Sequence, residues 1–597
     1  MYVRRTITRR NGAETYHSYR LVESRREGGR VHQVTLLNLG RHFDLPEKEW
    51  PALCLRLSQL LGQQGALTLA DVPQEVETTA QALAARLLAQ APAEMATQDF
   101  VEVDVASMAL VQPRPVGVEH VGLQALAWLE FDSLLESLGI NAVTRAMIIV
   151  QVVGRMASPG SELATWRWLN DRSALPELLD LSLPDLSLMR LYRAADVLTK
   201  HQEAIEQHLF TRVQDLFALT PTVTLYDLTN TYFEGEVKAN RKAKRGHSKE
   251  KRTDCPLLTL GLMLDGSGFV RRSRVLEGNV VESRTLAGML EDLGASPGAL
   301  VVMDRGIATE ANLAWLREQE YRYLVVSREQ TRLAPQGEAS VLTAGGESIQ
   351  VQKVVDADGG EVRLYCHSAG REQKETGISE RFCKRFEAGL QKLADGLARP
   401  RGAKRPEIIH ERIGKLKQSS SGVGRHYHVT VDINAEQSQV TAIHWEKMPV
   451  EGTMLTDPGV YCLRSNETGW DEERMWSTYM MLTDLEAVFR SLKSELGLRP
   501  VYHFKEERAD AHLFITVLAY QCVQLIRRKL ASKGIDFGWR QLREILSVQQ
   551  RVTARFTQKD QRTLHVRKAT QPEPQLKAIY DALGIDHLPG GTKKHVH

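Results

Sequence analysis

The sequence has little of what marks a secreted, membrane-bound or zinc-folded chain. Only six cysteines occur in 597 residues (Cys54, Cys255, Cys366, Cys383, Cys462 and Cys522), far apart and with no CxxC pair. That pattern argues against a zinc module and against a disulfide framework, and it fits a reducing cytoplasm. No uninterrupted apolar run reaches the roughly 18–20 residues that cross a bilayer. The opening residues MYVRRTITRR hold no apolar signal-peptide core, so no secretory signal is expected. Net charge is also small, +3 at pH 7, and the whole-chain balance says little about a polyanionic partner.

What is present is an ordinary globular composition, 42% hydrophobic and 25% charged. The length is enough for roughly three or four domains. The charge is clustered. Residues 1–30 hold eight Arg against three Glu, and residues 238–252 (KANRKAKRGHSKEKR) hold eight Lys or Arg against one Glu. Either cluster can neutralise phosphates, and either can be a solvated surface loop.

Periodicity divides the chain into six segments. Residues 1–110 read as a β-hairpin (TYHSYRLVES and RVHQVTLLNLG) and a helix from Pro46 to Leu61, then a linker carrying one short helix. Residues 111–220 carry helical spacings punctuated by Gly139, Pro159, Gly160 and Pro176. Residues 221–330 give strands VTLYDLT, LLTLGLMLD and GFVRRSRVL, a helix SRTLAGMLEDLG, strand ALVVMDRG, helix TEANLAWLREQ and strand YRYLVVS. Three strands, helix, strand, helix, strand is the element order of a ribonuclease-H-like α/β core, although many α/β folds share pieces of it. Residues 331–470 read as a β-rich insertion with one helix near Glu380–Leu397 and a basic RPRGAKRP loop. Residues 471–535 return to helix, completing the core, and 536–597 read as a helical, basic tail.

Asp227 ends the apolar run VTLYD and Asp304 ends LVVMD. A carboxylate at the C-terminal edge of a buried strand is rigidly held and faces the crevice where α/β ligands bind. Plain turn chemistry places Asp at strand ends too. Arg305 and Gly306, next along, let a cation and bare backbone approach a phosphate. In YMMLTDLEAVFRSLK, residues 479–493, Leu482, Leu485, Phe489 and Leu492 form one apolar stripe at about 100° per residue. Glu486, Arg490, Lys493 and Tyr479 lie along one edge of it, with Asp484 and Glu495 turned away. Glu486 and Arg490 also suit an ordinary i,i+4 pair. Three carboxylates of this kind suit hard Mg²⁺ or Mn²⁺, two of which stabilise attacking and leaving oxygens at phosphorus.

At these residues the sequence resembles bacterial insertion-sequence DDE transposases, and within them the "insertion sequence four" superfamily. The resemblance rests on YDLTNTYFEG, GHSKEKR, VVMDRG, LEAVFRSLKSELGLRPVYHF and the ADAHLFITVLAYQC helix, over roughly residues 222–530. The hairpin YRLVESRREGGRVHQVTLLNLGR is similar to the sixteen-thirty-four branch. The resemblance implies a metal-binding triad of Asp227, Asp304 and Glu486, two Mg²⁺ or Mn²⁺ ions, and a β domain inserted before the Glu. It implies cleavage of DNA at inverted repeats, 3′-OH strand transfer into a target, and a homodimer that synapses two ends in the cytoplasm or on the nucleoid. Of the superfamily's Tyr–Arg–Glu–Lys phosphate signature, Tyr479, Glu486 and Lys493 match; Leu482 stands where the Arg is expected, and Arg490 is the substitute on the same strip. Trp445 and Trp470 are alternatives for a base-stacking aromatic. A nuclease or resolvase on the same fold, and a DNA-binding protein that no longer cuts, remain the competing expectations.

Overall fold

The computed structural model describes residues 1–597 apart from 12–13, 28–29, 41–42, 61–72, 91–99, 182–185, 218–222, 236, 238, 247–251, 253, 296, 330, 336–338, 345–346, 400–403, 435 and 437. Within helices and strands, the side chains of 7–11, 14–17, 25–27, 30–32, 34, 38, 40, 85–86, 88–90, 223, 344, 347 and 482–486 are also outside the description. Much of GHSKEKR, the centre of the hairpin turn and half of RPRGAKRP fall in these gaps.

The chain forms two units, 1–103 and 104–597. In the first, β1 (Tyr2–Asn11), β2 (Glu14–Glu27) and β3 (Arg30–Gly40) make an antiparallel sheet in chain order, followed by α1 (Trp50–Leu60) and α2 (Gln74–Gln90). Val3, Leu21 and Leu37 pack with Leu53 and Leu57 of α1 and Val76 and Ala80 of α2. The hairpin expected from the sequence is β2–β3, with β1 added at its side. Where a linker with one short helix was expected, α2 runs 17 residues and is tied to α1 by Arg56 Nε–Glu77 at 2.6 Å.

The second unit opens within β4 (Val103–Pro115) and continues through α3 (Gly117–Trp128), α4 (Phe131–Ser137), α5 (Ala142–Ala157), α6 (Glu162–Asp171), α7 (Leu175–Leu178), α8 (Leu188–Lys200) and α9 (Gln202–Phe217). Asn141, Ser161 and Ser187 cap α5, α6 and α8 by accepting from the backbone N–H three residues on. The core strands follow: β5 (Val223–Tyr232), β6 (Leu257–Asp265), β7 (Val270–Glu277), α10 (Leu286–Leu293), β8 (Leu300–Met303), α11 (Glu310–Glu318) and β9 (Arg322–Val326). Then come β10 (Ser340–Ala344), β11 (Glu347–Val355), β12 (Val362–Ser368), α12 (Ala369–Leu397), α13 (Pro406–Gln418), β13 (Tyr427–Asn434), β14 (Gln439–Lys447) and β15 (Val460–Ser465).

One sheet runs β10-β11-β12-β15-β9-β8-β5-β6-β7. Its last five strands, read from β7, have the order 3-2-1-4-5, with β5, β8 and β9 parallel and β6 antiparallel. This is a mixed α/β fold consistent with a ribonuclease-H-like core. The segment expected to be a separate β insertion divides. Strands β10, β11, β12 and β15 extend the core sheet, while α12, α13, β13 and β14 gather a small core of their own around Phe386, Leu390, Ile409, Tyr427 and Ile443.

Helices cover both faces of the sheet. Tyr226, Leu228, Val301 and Met303 pack under α10 and α11. Leu225, Val302 and Leu324 pack on the other face, toward α14 (Glu472–Ser494) and α15 (Glu506–Ala531). Among the described residues α15 is the one helix long and apolar enough to cross a membrane, and it is 89% buried inside the protein.

The tail expected to be helical and basic mixes helix and strand about equally: α16 (Trp539–Leu546), β16 (Gln550–Gln558), β17 (Thr563–Ala569), α17 (Pro574–Leu583) and β18 (Lys593–Val596). Its strands join β4 in the order β18-β17-β16-β4. Charge misleads here because Arg551 is fully buried, paired with Glu177 of α7 at 2.8 Å. Close backbone packing also fixes Gly278 after β7, where a Cβ would lie 2.1 Å from Leu257 O and 2.6 Å from Lys244 O. Gly278→Ala is expected to lower stability by about 1–3 kcal/mol, read as a lower urea midpoint; an unchanged midpoint would show that the Lys244 segment moves aside at no cost.

Candidate active site

Strands β5 and β8 are parallel with Tyr226 opposite Met303. Asp227 and Asp304, one residue further along each strand, are therefore neighbours across a strand spacing of about 4.8 Å. Side chains alternate between faces along a strand. Since Tyr226 and Met303 face α10 and α11, Asp227 and Asp304 turn to the α14 face. Asp304 follows the last residue of β8, as the sequence led one to expect. Asp227 does not end its strand: β5 runs on to Tyr232, paired throughout with β6. What stops at Asp227 is the ladder to β8, so the carboxylate still faces the open crevice.

Asp227 is half-buried and Asp304 exposed. Each accepts from the next backbone N–H, Leu228 N at 2.7 Å and Arg305 N at 2.6 Å, while Asp304 O receives Ile307 N at 3.1 Å in a tight turn. Behind them, burial pushes the Tyr226 phenol well above its usual range, and the Asp227 and Glu282 charges add to this. Tyr226 Oη meets Thr285 Oγ1 at 2.6 Å.

Helix α14 crosses this face. Near its start Trp476 Nε1 donates to Tyr461 Oη of β15 at 2.9 Å, and Tyr479 lies 6.0 Å from the Tyr461 ring. Beyond its end, Leu498 O accepts from Thr231 Oγ1 at 3.0 Å and Val501 N donates to Tyr232 O at 2.9 Å, both on β5. Glu486 belongs to the stretch between these two attachments; its side chain, with those of Leu482 and Asp484, lies outside the described residues. Arg490 is exposed, and Tyr479 and Lys493 are partly so. Trp445 lies on β14, packed in the separate α12–α13 core. Trp470 follows β15 at the sheet edge opposite Asp304, stacked by Arg474 at 4.3 Å. Neither tryptophan is brought to the aspartates.

Two neighbours escape a reading by sequence. Glu282 Oε2 would lie 3.0 Å from a Cβ on Gly306, which puts its carboxylate against the Asp304 turn. Arg371, at the start of α12, lines the same small cleft as Arg305. Nothing local in ESR or AGREQ signals either placement.

The loop after α14 is held by a buried network. Glu162 of α6 bonds His503 Nε2, and Arg155 of α5 reaches His512 Nδ1 at 3.2 Å and Gly497 O at 3.4 Å. Glu162, His503 and His512 have the mutual spacing of a metal site. The Arg155 guanidinium already supplies the positive charge there, 3.9 Å from Glu162. Burial alone would raise the Glu162 pKa, but His503, His512 and Arg155 bring it down to about 2.

The transposase DDE domain model matches residues 219–522, just over half of the chain and the span from β5 into α15. The chain belongs to the DDE transposase family. The IS1634 family transposase N-terminal domain matches residues 3–63 of this transposase, in the first unit, so it is an IS1634-family insertion-sequence enzyme. No curated protein matches it. Among solved structures, a piggyBac transposase synaptic complex with hairpin DNA aligns at 10% identity and TM-score 0.32, covering 73% of this chain and 82% of that one. A Mos1 transposase paired-end complex with left transposon end aligns at 10% identity and TM-score 0.13, covering 47% and 78%.

Proposed function

We propose that this transposase cuts DNA at the ends of its own element and joins the released 3′ ends to target DNA, with Asp227, Asp304 and Glu486 as the metal-binding triad. The observation that carries the reading is the register of β5 on β8, with both aspartates turned to the face that α14 crosses. Two carboxylates about one strand spacing apart offer only hard oxygen ligands, a donor set that fits Mg²⁺ or Mn²⁺. When bound, two such ions lower the pKa of a nucleophilic water and stabilise the leaving oxygen.

The protein's own groups hold and orient. Asp227 is fixed by its pairing to β6, one residue past the end of the ladder to β8, and Asp304 by its turn, so neither carboxylate has to reorganise during the reaction. Glu486, on α14, supplies the third carboxylate. Arg305, Tyr479, Arg490 and Lys493 grip backbone phosphates around the scissile position. In cleavage, a water oxygen bonds to phosphorus, its proton passes to solvent, and the 3′ oxygen leaves and is protonated. In transfer, that 3′-OH attacks a target phosphorus and a target 3′ oxygen leaves. Joining two ends calls for two copies, so the working form is a homodimer on DNA, in the cytoplasm at the nucleoid. The first unit, with its Arg-rich sheet, binds the element ends.

The test is cleavage of a duplex carrying the terminal inverted repeat, with Mg²⁺ and with EDTA, followed by addition of a pre-cut end and a target plasmid. Metal-dependent nicking at the repeat boundary and joined product are expected. Nicking without joining would make the protein a nuclease, and binding without nicking would make it a DNA-binding protein.

A further inference from the structure

Beside Asp304, at the C-terminal edge of β9, lies a cleft of about 40 Å³ whose lining includes Arg305, Glu329, Arg332, Arg371, Tyr461 and Cys462. We propose that this cleft is a phosphate clamp for the DNA backbone, with Arg371 as a binding residue acting alongside Arg305. The proposal rests on DNA being the substrate and names a contact that the α14 strip does not contain.

The three arginines are not equivalent. Arg332 is committed: its Nη2 donates to Glu375 Oε1 at 3.2 Å and its Nη1 to Glu375 Oε2 and, at 3.1 Å, to Asp457 O. Arg371 donates only its Nε, to Glu375 Oε1 at 2.9 Å. Its guanidinium sits 4.7 Å from the centre of the Tyr461 ring, which restricts its orientation. The two Nη groups of Arg371 have no partner among the described residues. Arg305 commits one Nη, to Arg328 O at 3.2 Å, and has donors to spare. Glu329, the one acidic residue of the lining, faces Arg363 at 3.5 Å, a cation it shares with Asp356 at 3.6 Å. The cleft therefore presents two cations with unspent, oriented donors next to an exposed aspartate.

Position and size identify the ligand. Arg371 stands in the first turn of α12, capped by Ser368. A cation there opposes the helix dipole, its pair with Glu375 four residues on offsetting part of that cost, whereas an anion in the same place is favoured. The cleft is small, about 40 Å³, and its guanidinium lining suits the charged oxygens of a phosphodiester. Planar guanidinium donors match such oxygens in pairs.

The experiment measures binding of a fluorescein-labelled duplex of arbitrary sequence, because phosphate contacts carry no sequence information. Affinity is followed between roughly 50 and 200 mM salt in EDTA. Arg371→Gln is expected to lower the slope of log affinity against log salt by about one, and Arg371→Lys to restore it. A merely structural role, through Glu375 and Tyr461, would lower the melting temperature and leave the slope alone. As a measurement that needs no variant, DNA should protect Arg371 and Arg305 of the wild-type chain from phenylglyoxal, read by mass spectrometry. A wild-type slope in folded Arg371→Gln, or equal modification of Arg371 with and without DNA, overturns the clamp. A wild-type chain that binds no duplex at all overturns the proposed function with it.

Discussion

Asp304→Asn is expected to abolish end cleavage while leaving the fold and DNA binding intact, and Asp227→Asn to do the same. Asn keeps the shape of Asp and removes its charge, so the oxygen cage for hard cations loses one anionic ligand. Losing about 4 kcal/mol of transition-state stabilisation is a thousand-fold in rate, and a loss of at least roughly that size is expected. Asp304 is exposed and, among the described residues, bonded only to its own turn, so its replacement should change stability by no more than about 0.5 kcal/mol. That separates a catalytic loss from an unfolded protein. Asp304→Cys sharpens the test: a thiolate is a poor ligand for Mg²⁺ and a better one for Mn²⁺. Its activity should be absent with Mg²⁺ and partly restored by Mn²⁺. Either Asn variant cutting at the wild-type rate in saturating Mg²⁺ would remove that residue from the site.

Glu162→Gln is expected to cost stability rather than chemistry. It strips the anion from a network in which Arg155 is 2% exposed and Glu162 2% exposed. Arg155 then stays buried without a counter-charge, a change that typically costs about 3–5 kcal/mol. The pH dependence has a defined sign. Glu162 is held down to about 2 in the folded chain, against 4.5 as its ordinary value. Its contribution is complete above pH 4.5 and falls away as the pH drops toward 2, on the order of 3 kcal/mol in all. Urea midpoints of wild type and variant should therefore differ widely at pH 7 and converge progressively below pH 4.5. Equal midpoints at pH 7 would mean that the network is not a clamp on the loop after α14.

The parts of this architecture that depend on local pattern were legible in the sequence. Strands β5 to β9 and helices α10 and α11 announce themselves by apolar runs and turns, and Asp304 by its place after LVVM. The extent of β5 was not legible, because Thr229, Asn230 and Thr231 look like a turn. They are buried and spend their polar groups inside the fold, Asn230 Nδ2 on Thr259 Oγ1 at 3.0 Å and Thr231 Oγ1 on Leu498 O. Pairing between distant segments was invisible for a different reason. Nothing in QRVTARFTQ names β4 as its partner, and nothing in VRLYCHS says that it continues the core sheet rather than an inserted one. Arg371 belongs with these: its neighbours Tyr461 and Glu375 are chosen by the fold, and its basic, Glu-rich surroundings read as any solvated helix.

The excursion through α12, α13, β13 and β14 leaves the sheet at Ser368 and returns at Gly459, and these two residues touch, with Ser368 N donating to Gly459 O at 3.2 Å. About half of the chain between Asp304 and Glu486 is thus a closed detour whose entrance and exit coincide. Lengthening or shortening it beyond its first turn leaves the strands on either side in register. The distance along the chain from the second acidic residue to the third is accordingly elastic. Among relatives, it would stretch or contract without the carboxylates having to move, and a site of this kind is better recognised by its strands than by its spacing.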